Sequence, residues 1–209
     1  MSDLSKRLAD VRMGYQSFWK HVVNLTEGRT RPLTDEVSFR RDGDGIRVKT
    51  ENPIIIREAP ARQRGSKRRS FDIELNFNHF IQEGPENRLE IRKSNVQVHY
   101  KETRKGVSCG FHFDLDLNRH HPIFHVQLDD REHGRFDAPR IPTAPIDLCG
   151  AIYMILHDHF SSKVRGGWPE AIKVAVNALP RLPTRVFRAP AGQQMSCTQW
   201  YPHPEDWTL

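Results

Sequence analysis

Leu4, Leu8, Val11, Tyr15, Phe18, Trp19 and Val22 recur at intervals of three and four residues, which on a helix places them in one apolar stripe. The spacing predicts an opening helix that Ser2 can cap and that ends before Gly28. The period then falls to two. Runs at 36–40, 46–50 and 53–57 read as short strands, and Asp42-Gly43-Asp44-Gly45 between the first two reads as a hairpin turn. A calcium loop would need a further Asp or Asn, a trailing Glu and a helix on each side, none of which this tetrapeptide has.

Alternation is cleanest from residue 71, where Phe71, Ile73, Leu75 and Phe77 face one way and Asp72, Glu74, Asn76 and Asn78 the other. The same pattern recurs at 89–92, at Val96, Val98 and Tyr100, at Phe111, Phe113, Leu115 and Leu117, and at Phe124, Val126 and Leu128. These are the strands of a mostly antiparallel meander with one apolar and one polar face. From Ile141 the helical period returns. Thr143 is placed to cap a helix whose first turn holds Pro145 and Asp147, and 146–160 is apolar nearly all round, as expected of a helix covered on most sides. A last helix is predicted from Trp168-Pro169-Glu170 to Pro180. The expected architecture is α+β over residues 1–180: an N-terminal helix, then a mostly antiparallel β-meander whose apolar face packs on C-terminal helices. Residues 181–209 carry Pro183, Pro190, Pro202 and Pro204 without a period and read as an irregular tail. Its aromatics Phe187, Trp200, Tyr201 and Trp207 would wrap on the core or dock on a protein partner.

Composition supports a folded domain, since Leu, Ile, Val and Phe supply 51 of 209 residues, above the roughly one-fifth level below which disorder is the default. The longest apolar run, Leu148 to Leu156, is far short of the roughly 20 residues of a membrane span, so no membrane partner is expected. The polar opening residues carry no secretion or lipidation signal, and the three cysteines, Cys109, Cys149 and Cys197, offer neither an even set nor a CxxC pair. A cytoplasmic protein without a thiolate zinc site is the expectation. Net charge is +6, with 23 Arg against 9 Lys, a balance that leans towards phosphate or carboxylate partners and that a GC-rich genome would also produce.

Two segments could carry chemistry. Period two puts His112, Asp114 and Asp116 on one face of the strand at 111–117, and the returning strand presents His125, Gln127 and Asp129. If the apolar residues of both strands share a side, these polar ones share the other, with His99 of the preceding strand on the same parity. Imidazole plus carboxylate suits a divalent metal ion of unknown identity that could polarise a phosphodiester and supply hydroxide. His112, Asp114, Asp116 and His125 would be its ligands, and Arg119 and His121 of the connecting loop would position substrate. A solvated sheet face carries the same pattern, and no HExxH-type spacing accompanies it. The second segment, 57–69, has six cations against one anion and reads as a mobile loop, in which Arg62, Arg64, Lys67, Arg68 and Arg69 would bind nucleic-acid phosphates with strong salt dependence. His157 and His159 lie about 200° apart on a helix and cannot easily share an ion. Cys149 sits among apolar residues and reads as core.

An opening helix, a meander, a His121-Pro122 step and then core helices together resemble the order of elements in ubiquitin-conjugating enzymes. Those enzymes carry a catalytic cysteine shortly after the His-Pro step, whereas the next cysteine here is Cys149 inside a predicted helix. The resemblance therefore implies a non-catalytic protein-binding scaffold. Two functions follow as expectations: a nucleic-acid-associated, metal-dependent phosphodiester hydrolase, or a protein-binding adaptor or subunit of a larger complex.

Overall fold

A computed structural model of the chain describes residues 3–33, 36–60, 70–84, 87–103, 108–116, 124–129, 141–142, 146–182, 186–188 and 194–196. Residues 3–4, 116, 124–125, 129, 141–142, 186–188 and 194–196 are described as backbone alone. The N-terminal stripe lies on helix α1 (Asp3–Leu25), which buries Val11, Tyr15, Phe18, Trp19 and Val22. Its end is set locally. The Thr26 hydroxyl donates back to the Val22 carbonyl at 2.8 Å, and Gly28, at φ +75°, donates its N–H to the Val23 carbonyl at 2.9 Å. Trp19 Nε1 then donates to the Arg31 carbonyl at 2.8 Å, tying the chain beyond the helix to a core side chain.

The strands are β1 (Val37–Asp42), β2 (Gly45–Thr50), β3 (Ile54–Pro60), β4 (Ser70–Glu83), β5 (Leu89–Glu102), β6 (Ser108–Asp116), β7 (Phe124–Asp129) and β8 (Ile141–Pro142). They form one antiparallel sheet in the order β1-β2-β4-β5-β6-β7-β8. Strand β4 is long enough to take two partners along one edge, β3 against residues 70–75 and β2 against 78–81. The turn of the β1–β2 hairpin is the expected one, with Asp42 paired to Gly45 and Gly43 at φ +60°. Gly45 has a further reason to be glycine: a Cβ there would lie 2.6 Å from the Ile81 carbonyl oxygen, so a side chain would push β2 off β4.

Alternation along β4 and β5 decides what each face carries. Ile73, Leu75, Phe77, Val96 and Val98 are buried on the inner side. Ile91 has the opposite parity in sequence yet is also buried, because a bulge between the pairs Phe80–Lys93 and Ile81–Ile91 inserts Arg92 and resets the faces. Residues 89–92 and 96–100 are thus one continuous strand. Helices α2 (Leu148–His159) and α3 (Glu170–Asn177) complete the layer on the inner side, joined by a 3-10 turn at Ser161–Lys163. Every residue of α2 from Leu148 to Tyr153 is buried, in keeping with its all-round apolar sequence. Its cap is Asp147, whose Oδ1 accepts from the Gly150 N–H at 2.9 Å, and not Thr143, which lies outside the described residues.

Contacts with the sheet continue past Pro180. Arg181 forms a parallel bridge with Glu90, donating to the Leu89 carbonyl at 3.2 Å and accepting from the Ile91 N–H at 2.8 Å, and Leu182 is buried. Within the segment expected to be irregular, β9 (Val186–Arg188) and β10 (Gln194–Ser196) pair as a two-stranded antiparallel ribbon.

One polar pair interrupts the core. His79, on the inner face of β4, has its Nδ1 2.7 Å from the Tyr15 hydroxyl, and its ring lies against Phe77 at 5.1 Å between centroids. Both side chains are buried, and His79 Nε2 has no hydrogen-bond partner among the described residues. Burial pushes the His79 pKa down to about 3, so the imidazole is neutral in the folded protein. The same burial, with the Asp147 carboxylate adding to it, pushes the Tyr15 phenol up. Above pH 6.5 His79 is neutral folded or unfolded and its titration leaves stability unchanged. As pH falls from 6.5 towards 3, only the unfolded chain takes up the proton, and stability falls by about 1.4 kcal/mol per pH unit. Denaturant unfolding at pH 7.5 and 5.5 is therefore expected to show the wild type losing about 1.4 kcal/mol more than His79→Asn. Equal losses would show that His79 is not the titrating group.

Candidate functional site

Strand pairing puts the polar residues of four neighbouring strands in rows across the outer face. One row runs Asn76, Gln97, His112, Gln127, and the next runs Asn78, Asn95, Asp114, His125. Phe113 pairs with Val126 and Leu115 with Phe124, so the inner residues of β6 and β7 do share a side, and their polar residues share the other. Asp114 and His125 occupy directly opposite positions of the β6–β7 pair.

Within this patch His112 Nε2 lies 3.2 Å from Asp114 Oδ2. Asn95 Nδ2 donates to the other oxygen, Oδ1, at 2.5 Å, and so fixes the plane of the carboxylate. Side chains of His112 and Asp114 are 19% and 24% exposed, which leaves both reachable from solvent. Nitrogen and oxygen ligands of one ion, each about 2.0–2.2 Å from it, stand roughly 3.0–3.4 Å apart for angles between octahedral and tetrahedral. The His112–Asp114 separation falls inside that interval, and the Asn95 amide occupies the place of an outer partner that orients a ligating carboxylate.

Other members of the expected set fall at different distances. Asp116 pairs with Lys93, one row beyond Asp114, and its side chain and that of His125 are outside the described residues. His99 pairs with Gly110, two rows from Asp114 or about 13 Å along the strand, and is out of reach of an ion there. Arg119 and His121 lie outside the described residues, as do Arg62, Arg64, Lys67, Arg68, Arg69 and the aromatics Trp200, Tyr201 and Trp207. Among the described residues no group of three His, Cys, Asp or Glu side chains gathers closely enough to hold a metal. Arg57, the first cation of the basic run, belongs to β3 and not to a loop. Asn95 was legible in the alternation of 95–100 but carries no charge or nucleophile to single it out.

The histidines of α2 and the thiol of Cys149 are accounted for by packing. His159 Nδ1 is hydrogen bonded to the Pro60 carbonyl at 2.8 Å and its ring contacts Phe71 and Tyr100, while His157 stacks near Tyr153 with its Nδ1 3.5 Å from Asp158. The two histidines serve separate contacts. Cys149 is buried, and burial, with Asp147 next in effect, pushes its thiol pKa up, so it is a core residue.

No family model, curated protein or solved structure matches this chain. The outer-face patch therefore stands on its own geometry. A pair that is only partly shielded from solvent contributes little to folding, about 0.2–1 kcal/mol. Urea unfolding of His112→Ala is expected to lose no more than that, and a loss of several kcal/mol would mark the pair as part of the scaffold.

Proposed function

We propose that this is a nucleic-acid-associated protein whose outer sheet face binds a divalent metal ion and uses it to hydrolyse phosphodiesters. The observation that carries the reading is the row register that sets Asp114 opposite His125 while His112 stands 3.2 Å from Asp114. In this reading His112, Asp114 and His125 are ligands, Asp116 a ligand at the edge of the patch, and Asn95 the group that orients Asp114. An ion there would act as a Lewis acid on the phosphoryl oxygen and lower the pKa of bound water. Arg119 and His121, in the connection between β6 and β7, would position substrate. Net charge of +6 and the cations Arg62, Arg64, Lys67, Arg68 and Arg69 support a polyanionic substrate.

An adaptor role is the second reading, motivated by Phe187, Trp200, Tyr201 and Trp207 in the sequence after Pro180, aromatics that a protein partner could bury. A chain cut after Leu182, which keeps the Arg181 bridge, separates the two: an adaptor working through its tail loses its partner while remaining folded.

Metal analysis and a nuclease assay with Mn²⁺, Mg²⁺ and Zn²⁺ test the leading reading. The wild type is expected to bind one equivalent of an ion and to cleave DNA or RNA. His112→Ala and Asp114→Asn should each lower cleavage by at least tenfold with little loss of stability. Undiminished cleavage in both variants, or no ion bound by the wild type, would end it.

A further inference from the structure

Three arginines, Arg29, Arg31 and Arg57, line one cavity of about 260 Å³ between the chain that leaves α1 and the edge strand β3. They come together from distant parts of the sequence because the Arg57 N–H donates to the Arg29 carbonyl at 2.8 Å. The Trp19 indole holds the Arg31 carbonyl in the same way, so the backbone of this arginine cluster is anchored to the core. Among the described residues that line the cavity, Glu36 is the one acidic side chain against the three arginines.

Two buried polar atoms in the same lining have no hydrogen-bond partner among the described residues, Thr30 Oγ1 and Arg29 Nε. Thr30 is only 4% exposed, so its hydroxyl has lost water without gaining a partner among them. Unsatisfied buried donors are costly and uncommon in folded proteins. Arg29 is meanwhile held by its Nη1, which donates to the Glu58 carbonyl at 2.8 Å. The Glu58 carboxylate is 4.0 Å away and 75% exposed, too far and too wet to neutralise the site. The nearby end of α1, whose dipole would oppose an anion, has its carbonyls engaged by Thr26, Glu27 and Gly28.

We propose that this cavity is a seat for a phosphate group, with Arg31 and Arg57 as the main charge contacts and Thr30 and Arg29 Nε as inner donors. Guanidinium forks match the tetrahedral oxygens of phosphate and pair with them through two bonds at once. The volume lies just below the 300–1,000 Å³ range of pockets that enclose a drug-sized ligand, so the seat admits an anionic head group and leaves the rest of the ligand outside. Free phosphate, a phosphomonoester and a nucleic-acid diester all present that chemistry. The site is independent of the outer-face metal reading, since it involves neither His112 nor Asp114 and needs no ion.

The test is thermal unfolding of the full chain, metal-free, with inorganic phosphate, a nucleoside 5′-monophosphate or an oligonucleotide lacking terminal phosphates. Sodium chloride at matched ionic strength is the reference. At ten times Kd, a bound probe is expected to raise the unfolding midpoint by about 3–5 °C above that reference. Arg31 and Arg57 are exposed, so Arg31→Gln/Arg57→Gln should fold normally and lose that increment, and the most protective probe identifies the source of the phosphate. No probe exceeding the chloride reference, or the same increment in the double variant, would overturn the proposal.

Discussion

The pairing of β4 with β5 governs the rest of the molecule. Thirteen residue pairs run along these two strands, and every other strand of the eight-stranded sheet is placed directly or indirectly by them. Because side chains alternate, one register decides which residues meet the helices and which meet solvent; a slip of β5 by one position against β4 would send Val96 outward and bring Asn95 into the core beside Phe77. The bulge at Arg92 shows how sharply this matters. Without the extra residue, the start of β5 would bury Arg92 in place of Ile91, and the Glu90–Arg181 bridge would lose its position.

Outer-face chemistry inherits its accuracy from that register. Asn95 sits on β5 and Asp114 on β6, and their hydrogen bond joins the candidate ligand pair to the best-supported strand of the sheet. A patch of this kind is rigid because its side chains stand on paired backbone and not on connecting segments. The arginine cavity is built by a different device, a single backbone bond between the post-helix chain and an edge strand, which is why its cations come from segments far apart in sequence.

Much of the fold is legible in hydrophobic periodicity. The three- and four-residue spacing before Val22 and the alternation from Phe71 identify α1 and β4 because each element buries one face, and burial leaves a periodic trace. His112, Asp114 and the facing position of His125 follow from the same alternation. Other features leave no such trace. The cap of α2 passed from Thr143 to Asp147 since both residue types can cap and only the geometry of the first turn selects one. His79 reads as another polar residue beside Asn78, although Tyr15, sixty-four positions earlier, makes it part of the core. Arg29, Arg31 and Arg57 are ordinary surface cations until the backbone bond between residues 57 and 29 brings them to one cavity.

The bridge from Arg181 to β5 also has a meaning for biosynthesis. The apolar stripe of α1 packs against α3, and β5 gains its parallel neighbour only at residue 181. At a translation rate of roughly 5–20 residues per second, the opening helix waits on the order of ten seconds before the last part of its cover has been made. A nascent chain thus carries Phe18 without its neighbour Trp168 throughout that interval, with part of its apolar stripe still open to water.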